Sequence, residues 1–121
     1  MARQAFGTAD RPLSPAVRAG DFVYVSGQVP ADGDGAVVGA TITEQTDQVM
    51  KNVAAALALA GATLDDVVKT TCWLADRGDF AEFNRAYGRH FPEAPPARTT
   101  VESRLMIDIR VEIEAVAHVG A

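Results

Sequence analysis

The chain has 121 residues, of which 48% are hydrophobic and 22% charged, with a formal net charge of −5. That length suits one compact domain, residues 1–121, and the composition is that of a chain that folds and not of a disordered tail. The acid excess has the wrong sign for gripping phosphate backbones, where affinity rests on Lys and Arg, so nucleic acid is excluded as an expected partner.

The opening "MARQAFGTADRP" lacks the apolar core of a signal peptide, and the lone Cys72 cannot form an intramolecular disulfide. A cytoplasmic protein is expected. Residues 17–29, "VRAGDFVYVSGQV", alternate around a turn signal at Gly20-Asp21 and predict one or two strands ending at Ser26-Gly27. In the following loop, "PADGDGAVVG", Asp32 and Asp34 lack the remaining ligands and closing Glu of a calcium loop, so a turn is expected.

Thr41 followed by Glu44 forms a capping-box signature, and Val49, Val53, Ala56, Leu57 and Ala60 recur at helical spacing until Gly61. This predicts a helix of about five turns with one apolar face. Its apolar run "NVAAALALAGATL" is shorter than the roughly 20 residues of a membrane span. "DVVKTTCWLAD" reads as a strand apolar on both faces, with Val68, Thr70, Cys72 and Leu74 on one side and Val67, Lys69, Thr71 and Trp73 on the other. A second helix is predicted with Asp79 as N-cap and a stripe of Phe80, Phe83 and Tyr87, ended by Pro92. After the prolines, "RTTVES" and "IDIRVEIEAVAHV" read as strands. The latter places Ile107, Ile109, Val111, Ile113 and Ala115 on one face and Asp108, Arg110, Glu112 and Glu114 on the other.

This order predicts an α+β or α/β sheet with both helices on one face. The other face then lacks cover, and Phe22, Tyr24 and an exposed Trp73 make it partly apolar, so homo-oligomerisation is expected.

Familiar chemistries find little support. His90 and His118 are far apart, Cys72 has no partner at ligand spacing, and no Gly-rich phosphate loop with a following Lys is present. Cys72, in mid-strand without a local base, reads as a buried structural thiol. What remains lies at strand ends. Arg98 carries a planar donor fork suited to a carboxylate, or else is a solvated or ion-paired loop residue. Glu112 either faces solvent or lines a pocket where it could hold or deprotonate a water. Ser26 and Gly27 offer a hydroxyl and an approachable backbone, or form a plain turn.

Four stretches in register, "FVYVSGQVP", "NVAAALALAGATLDDVVKTTCWLADRGDFAEFNRAY", "PPARTTVE" and "VEIEAVA", cover nearly the whole chain. In them the chain resembles the Rid family, the reactive intermediate deaminases, also called the YjgF family. The resemblance implies a chorismate-mutase-like mixed sheet with two helices on one face. It also implies a homotrimer whose three sheets form a central barrel, with an active site in each cleft between subunits. Family members hydrolyse enamines and imines to a 2-oxo acid and ammonia, with no metal or organic cofactor.

Carried over by position, Arg98 would bind the substrate carboxylate and Glu112 would help hold the attacking water. Ser26 and Gly27 match the substrate-contacting strand end, Asn84 a helix residue near the cleft, and Thr100 a position whose backbone contacts the ligand. The chain departs from the pattern at Ala16, where a tyrosine is usual, and at Thr100, where a cysteine is usual. "SRLMIDI" lacks the usual proline and is one residue shorter. These departures are expected to reshape the pocket wall. The resemblance implies an enamine/imine deaminase acting on a small carboxylate-bearing substrate. The alternatives are a non-catalytic trimeric metabolite-binding or regulatory module, and a pathway-specific aminoacrylate- or aminomuconate-type deaminase.

Overall fold

The structure, a computed structural model, describes residues 2–120. The elements in chain order are β1 (Gln4–Phe6), β2 (Ala16–Ala19), β3 (Phe22–Gln28), α1 (Ile42–Leu59), β4 (Val67–Leu74), α2 (Phe80–Gly88), β5 (Ala97–Glu102) and β6 (Val111–His118). Short 3-10 turns at Leu64–Asp66 and Arg77–Asp79 precede β4 and α2. The strands form one sheet of order β1-β2-β3-β6-β4-β5. Only the β4–β5 pairing is parallel; the others are antiparallel.

This topology places both helices on one face. β3 and β4 both run antiparallel to β6, so α1 joins two parallel strands across it, and α2 joins the parallel β4 and β5. Both crossovers advance in the same direction along the sheet, and right-handed connections of that kind stack their helices on a single side. The core fills the layer between, where Phe83, Met50, Leu57, Leu74 and Ile113 are fully buried.

Local signals fix the ends of α1. Thr41 Oγ1 accepts from Glu44 N at 3.1 Å while Glu44 Oε1 accepts from Thr41 N at 3.1 Å, which completes the capping box. At the far end Gly61, at φ +77°, lets Ala62 N reach Leu57 O at 3.0 Å and Gly61 N reach Ala58 O at 3.1 Å, a Schellman stop. The Asp32–Asp34 loop is a turn held by Asp32 Oδ1, which accepts from Asp34 N and Ala36 N. Among the described residues no cluster of three His, Cys, Asp or Glu could hold a metal, and no helix is long and apolar enough to cross a membrane.

Several expectations are corrected. β1 is an additional strand, defined by its pairing with β2 and not by any periodicity of its own. In β4 a register irregularity between Val67 and Lys69 turns Val67 into the core and leaves Val68 46% exposed, the reverse of strict alternation. Trp73 is half-buried and not exposed. Asp79 precedes α2, but its side chain makes no cap; Asp79 Oδ2 instead accepts from Arg110 Nη1 at 3.1 Å. The last strand begins at Val111 and not at Ile107. Ile109 N folds back to Ile107 O at 3.0 Å, and Gln45 Oε1 of α1 takes the Arg110 N–H at 2.8 Å, so the preceding segment never joins the ladder.

Candidate functional site

Arg98 lies on the edge strand β5, where parallel register sets it beside Thr70 of β4. Register partners share a face, and Thr70 is buried on the helix side against Tyr87, so Arg98 also points toward α2. Its guanidinium carbon sits 5.1 Å from the ring centre of Tyr87, 5.5 Å from Phe83 and 5.6 Å from Phe80. These rings recur at helical spacing, which brings them onto one stripe of α2. Each is within range for a cation–π contact. Among the described residues Arg98 has no carboxylate within ion-pair distance and no side-chain hydrogen bond. The charge is held in place by aromatic faces while its donor fork stays unused.

Two other side chains on this side of the sheet also carry unused polar atoms. Asn84 Oδ1 and Thr100 Oγ1 are buried without hydrogen-bond partners. Asn84 stands four residues after Phe80 and three before Tyr87, hence next to both on the α2 surface. Thr100 pairs in register with Cys72 and shares Arg98's face. Orphaned buried polar atoms are uncommon in folded proteins, and these two stand on the helix side of the sheet, as Arg98 does. A third orphan, Thr46 Oγ1, lies on the buried face of α1.

An open cleft of about 530 Å³ runs along this edge, lined by Leu74, Phe80, Thr100 and Val101, with Arg77 and Glu102 at its polar end. There Arg77 N donates to Glu102 Oε2 at 2.8 Å. Cys72 behind Thr100 is fully buried, and that burial pushes its thiol up to about 11 despite Thr70, Arg98 and Thr100 nearby. It is therefore a neutral structural thiol at physiological pH.

Glu112 is on the opposite face. It pairs with Trp73, three positions from Thr70 along β4, and that odd step reverses the side of the sheet. Its carboxylate lies directly over Gly27, where a Cβ would overlap Glu112 Oε2, so this approach requires glycine. Gly27 falls within a register shift of β3 between Val25 and Gln28, which bends the strand there. Burial, then the negative charge of Glu114, holds the Glu112 carboxyl above the usual carboxylate range. Ser26 donates its hydroxyl to Ser14 O at 2.6 Å, pinning the segment before β2, and it lines a smaller hollow of about 190 Å³ with Tyr24 and Glu114.

The structure thus divides the sequence-derived residues into two groups. Arg98, Asn84 and Thr100 gather on the helix side at the β5 edge; Glu112, Gly27 and Ser26 gather on the open face. Ala16 belongs to neither. It is fully buried in the core, paired with Val25, so it does not widen a pocket wall. From the sequence, Phe80, Phe83 and Tyr87 are an aromatic stripe on the second helix with no part in the site. Their role under Arg98 had one sequence signal, a helical aromatic stripe shortly before a β-edge arginine.

The fold and this edge define a small α+β protein with one helix-covered sheet face and an open cleft beside an unpaired arginine. A family model described as Endoribonuclease L-PSP matches residues 3–119. A RutC family protein of Pyrococcus abyssi is 44% identical, covering 98% of each chain. Reactive Intermediate Deaminase A, chloroplastic, of Arabidopsis thaliana is 38% identical over 88% of this chain and 58% of its own. The crystal structure of E. coli TdcF with bound serine superposes with a TM-score of 0.89 at 31% identity, covering 95% of this chain and 98% of that one. The chain belongs to the Rid (YjgF/RutC) family.

Proposed function

We propose that this single-domain protein is an enamine/imine deaminase that hydrolyses a small carboxylate-bearing imino acid to a 2-oxo acid and ammonia. The observation that carries the reading is Arg98, a guanidinium fixed over three rings with no anion of its own. A planar fork in that state suits two parallel hydrogen bonds to a substrate carboxylate. The name of the Arabidopsis relative supports the same reading, as does the serine bound to TdcF, itself a small carboxylate.

The chemistry asks little more than orientation and a water. An iminium carbon conjugated to a carboxylate is already electrophilic, so holding it against a water removes much of the barrier. Water oxygen bonds to the imine carbon as Glu112 takes a water proton. That proton then passes to nitrogen, and as the C–N bond breaks and ammonia leaves with its electron pair, Glu112 takes the remaining hydroxyl proton and the C=O forms. An enamine substrate first takes a proton at carbon to become the imine.

Arg98 and Glu112 face opposite sides of their own sheet, so one substrate meets both only between two copies of the chain. We therefore propose a homotrimer, with Arg98 of one subunit opposite Glu112 of the next. The exposed Phe22 and Tyr24, 41% and 49% accessible, supply apolar surface for such an interface. The nuclease name of the family model suggests a rival activity, but the net charge of −5 weighs against binding to a phosphate backbone.

The test follows imine decay, by semicarbazide trapping, in the product stream of a threonine dehydratase. The wild type is expected to accelerate decay and Arg98→Ala to fall to the spontaneous rate. Equal performance of the two across several imino acids would overturn the reading. Saturable carboxylate binding without turnover would leave a metabolite-binding module in its place.

A further inference from the structure

Arg98 rests on three rings, but these are not equivalent. Phe80 sits at the rim, 43% exposed, and Phe83 is packed in the core with no accessible surface. Tyr87 is the ring nearest the guanidinium and the one that is tied to the sheet by a hydrogen bond. Its hydroxyl meets Thr70 Oγ1 at 2.6 Å, and both groups are buried. Thr70 in turn is the register partner of Arg98 in the β4–β5 ladder. A closed circuit results: from the Arg98 backbone across the ladder to Thr70, through its hydroxyl to Tyr87, and from the ring face back to the Arg98 guanidinium.

That circuit references the ring to Arg98's own backbone. Without the hydroxyl link, the ring position would depend on helix–sheet packing alone, and small shifts of α2 would carry the guanidinium with them. A bidentate grip tolerates little angular error, and an arginine that is free to rotate loses its rotamer freedom when ligand binds. An aromatic seat also orders the side chain without neutralising it, which an ion pair could not do.

We propose that Tyr87, anchored by Thr70, is a positioning residue that holds Arg98 in its carboxylate-gripping orientation before ligand arrives. This rests on the reading of Arg98 as the carboxylate anchor. Tyr87 itself need not touch substrate, and burial raises its hydroxyl above the usual phenol range, which keeps it a neutral strut.

The experiment measures 2-oxobutanoate affinity by calorimetry, KM and kcat in the trapping assay, and thermal stability, for wild type, Tyr87→Phe, Thr70→Val, their double variant, and Thr70→Ser. Each of the first two single variants is expected to weaken 2-oxobutanoate binding and raise KM by about three- to tenfold, with kcat within about twofold, the pattern of lost uniform binding. Thr70→Ser, which keeps the hydroxyl, is expected to retain affinity. The double variant leaves neither hydroxyl of the pair orphaned, so its stability is expected to recover toward wild type while its affinity stays low. Wild-type affinity in the folded single variants, or affinity that recovers together with stability in the double, would overturn the proposal. Arg98→Ala separates the two levels: if it binds 2-oxobutanoate as tightly as wild type, the anchor reading fails, whereas loss in Arg98→Ala alone sinks only the role of Tyr87. Should Tyr87→Phe and Thr70→Val fold too poorly to assay, Phe80→Leu at the exposed rim reads the same platform. A KM increase of about twofold or more supports the seat and an unchanged KM refutes it.

Discussion

Two arginines at the entrances of the last two strands make opposite use of the same side chain. Arg110, just before β6, is engaged: Nη1 donates to Asp79 Oδ2 at 3.1 Å, Nε donates to Ala40 O at 2.9 Å, and its backbone N–H meets Gln45. It ties the entrance of α2 to the loop that precedes α1. Arg98, on β5, has aromatic faces beneath it and no side-chain hydrogen bond among the described residues. Function is to be sought where a charge is ordered but left unneutralised, because a guanidinium already paired with a carboxylate has less to gain from a ligand's carboxylate.

Exchanging the fork for a point charge should give the largest effect. Arg98→Lys keeps a cation near the aromatic platform but loses bidentate geometry, and kcat/KM for imine hydrolysis is expected to fall about 100-fold, with thermal stability nearly unchanged. A variant with wild-type kcat/KM would erase the contrast with Arg110.

On the other face, Gly27→Ala should displace the Glu112 carboxylate, since the added methyl would occupy its place. A loss of about tenfold in kcat is expected, larger than any change in 2-oxobutanoate affinity, because the group proposed to hold the water moves while Arg98 does not.

Glu112 also predicts a pH signature. Burial and Glu114 raise its folded pKa, so the fold favours the protonated form. Its contribution to stability is full below the ordinary glutamate value of about 4.3 and is lost as pH rises through the raised folded value. Glu112→Gln should therefore be more stable than wild type at neutral pH, with the gap closing in acid, as read from denaturant midpoints at several pH values. The reverse trend would show that a partner cation stabilises the carboxylate.

The smallest effect belongs to Arg110. Its pair with Asp79 is half-exposed and screened, so Arg110→Ala is expected to cost about 0.5–1.5 kcal/mol by urea unfolding, with 2-oxobutanoate affinity within about twofold. A large affinity loss would mean that Arg110 belongs to the site as well.

Much of the fold was legible in the chain because its signals are local. Thr41, Glu44 and Gly61 carry the limits of α1 within a few residues of the ends they define. Glu112 was placed on the face away from the core by alternation alone, and β6 keeps that alternation from Val111 onward. β1 was not legible, since three residues carry no measurable period and exist as a strand only through β2. Ile107 and Ile109 continued the apolar alternation, yet a turn and Gln45 removed them from the ladder. Ala16 read as a vacant pocket wall, and β2 turns it into the core.

The candidate site divides along the same line. By itself the sequence determined which residues are candidates for polar chemistry, Arg98 and Glu112 among them, and which helix presents an aromatic stripe, because residue type and short-range spacing are enough for that. Only the tertiary structure decided that the stripe seats Arg98, that Thr70 anchors Tyr87, and that Glu112 faces the other way over Gly27. Those relations depend on strand register and crossover direction between residues far apart in the chain, where a shift of one position reverses a side chain's face.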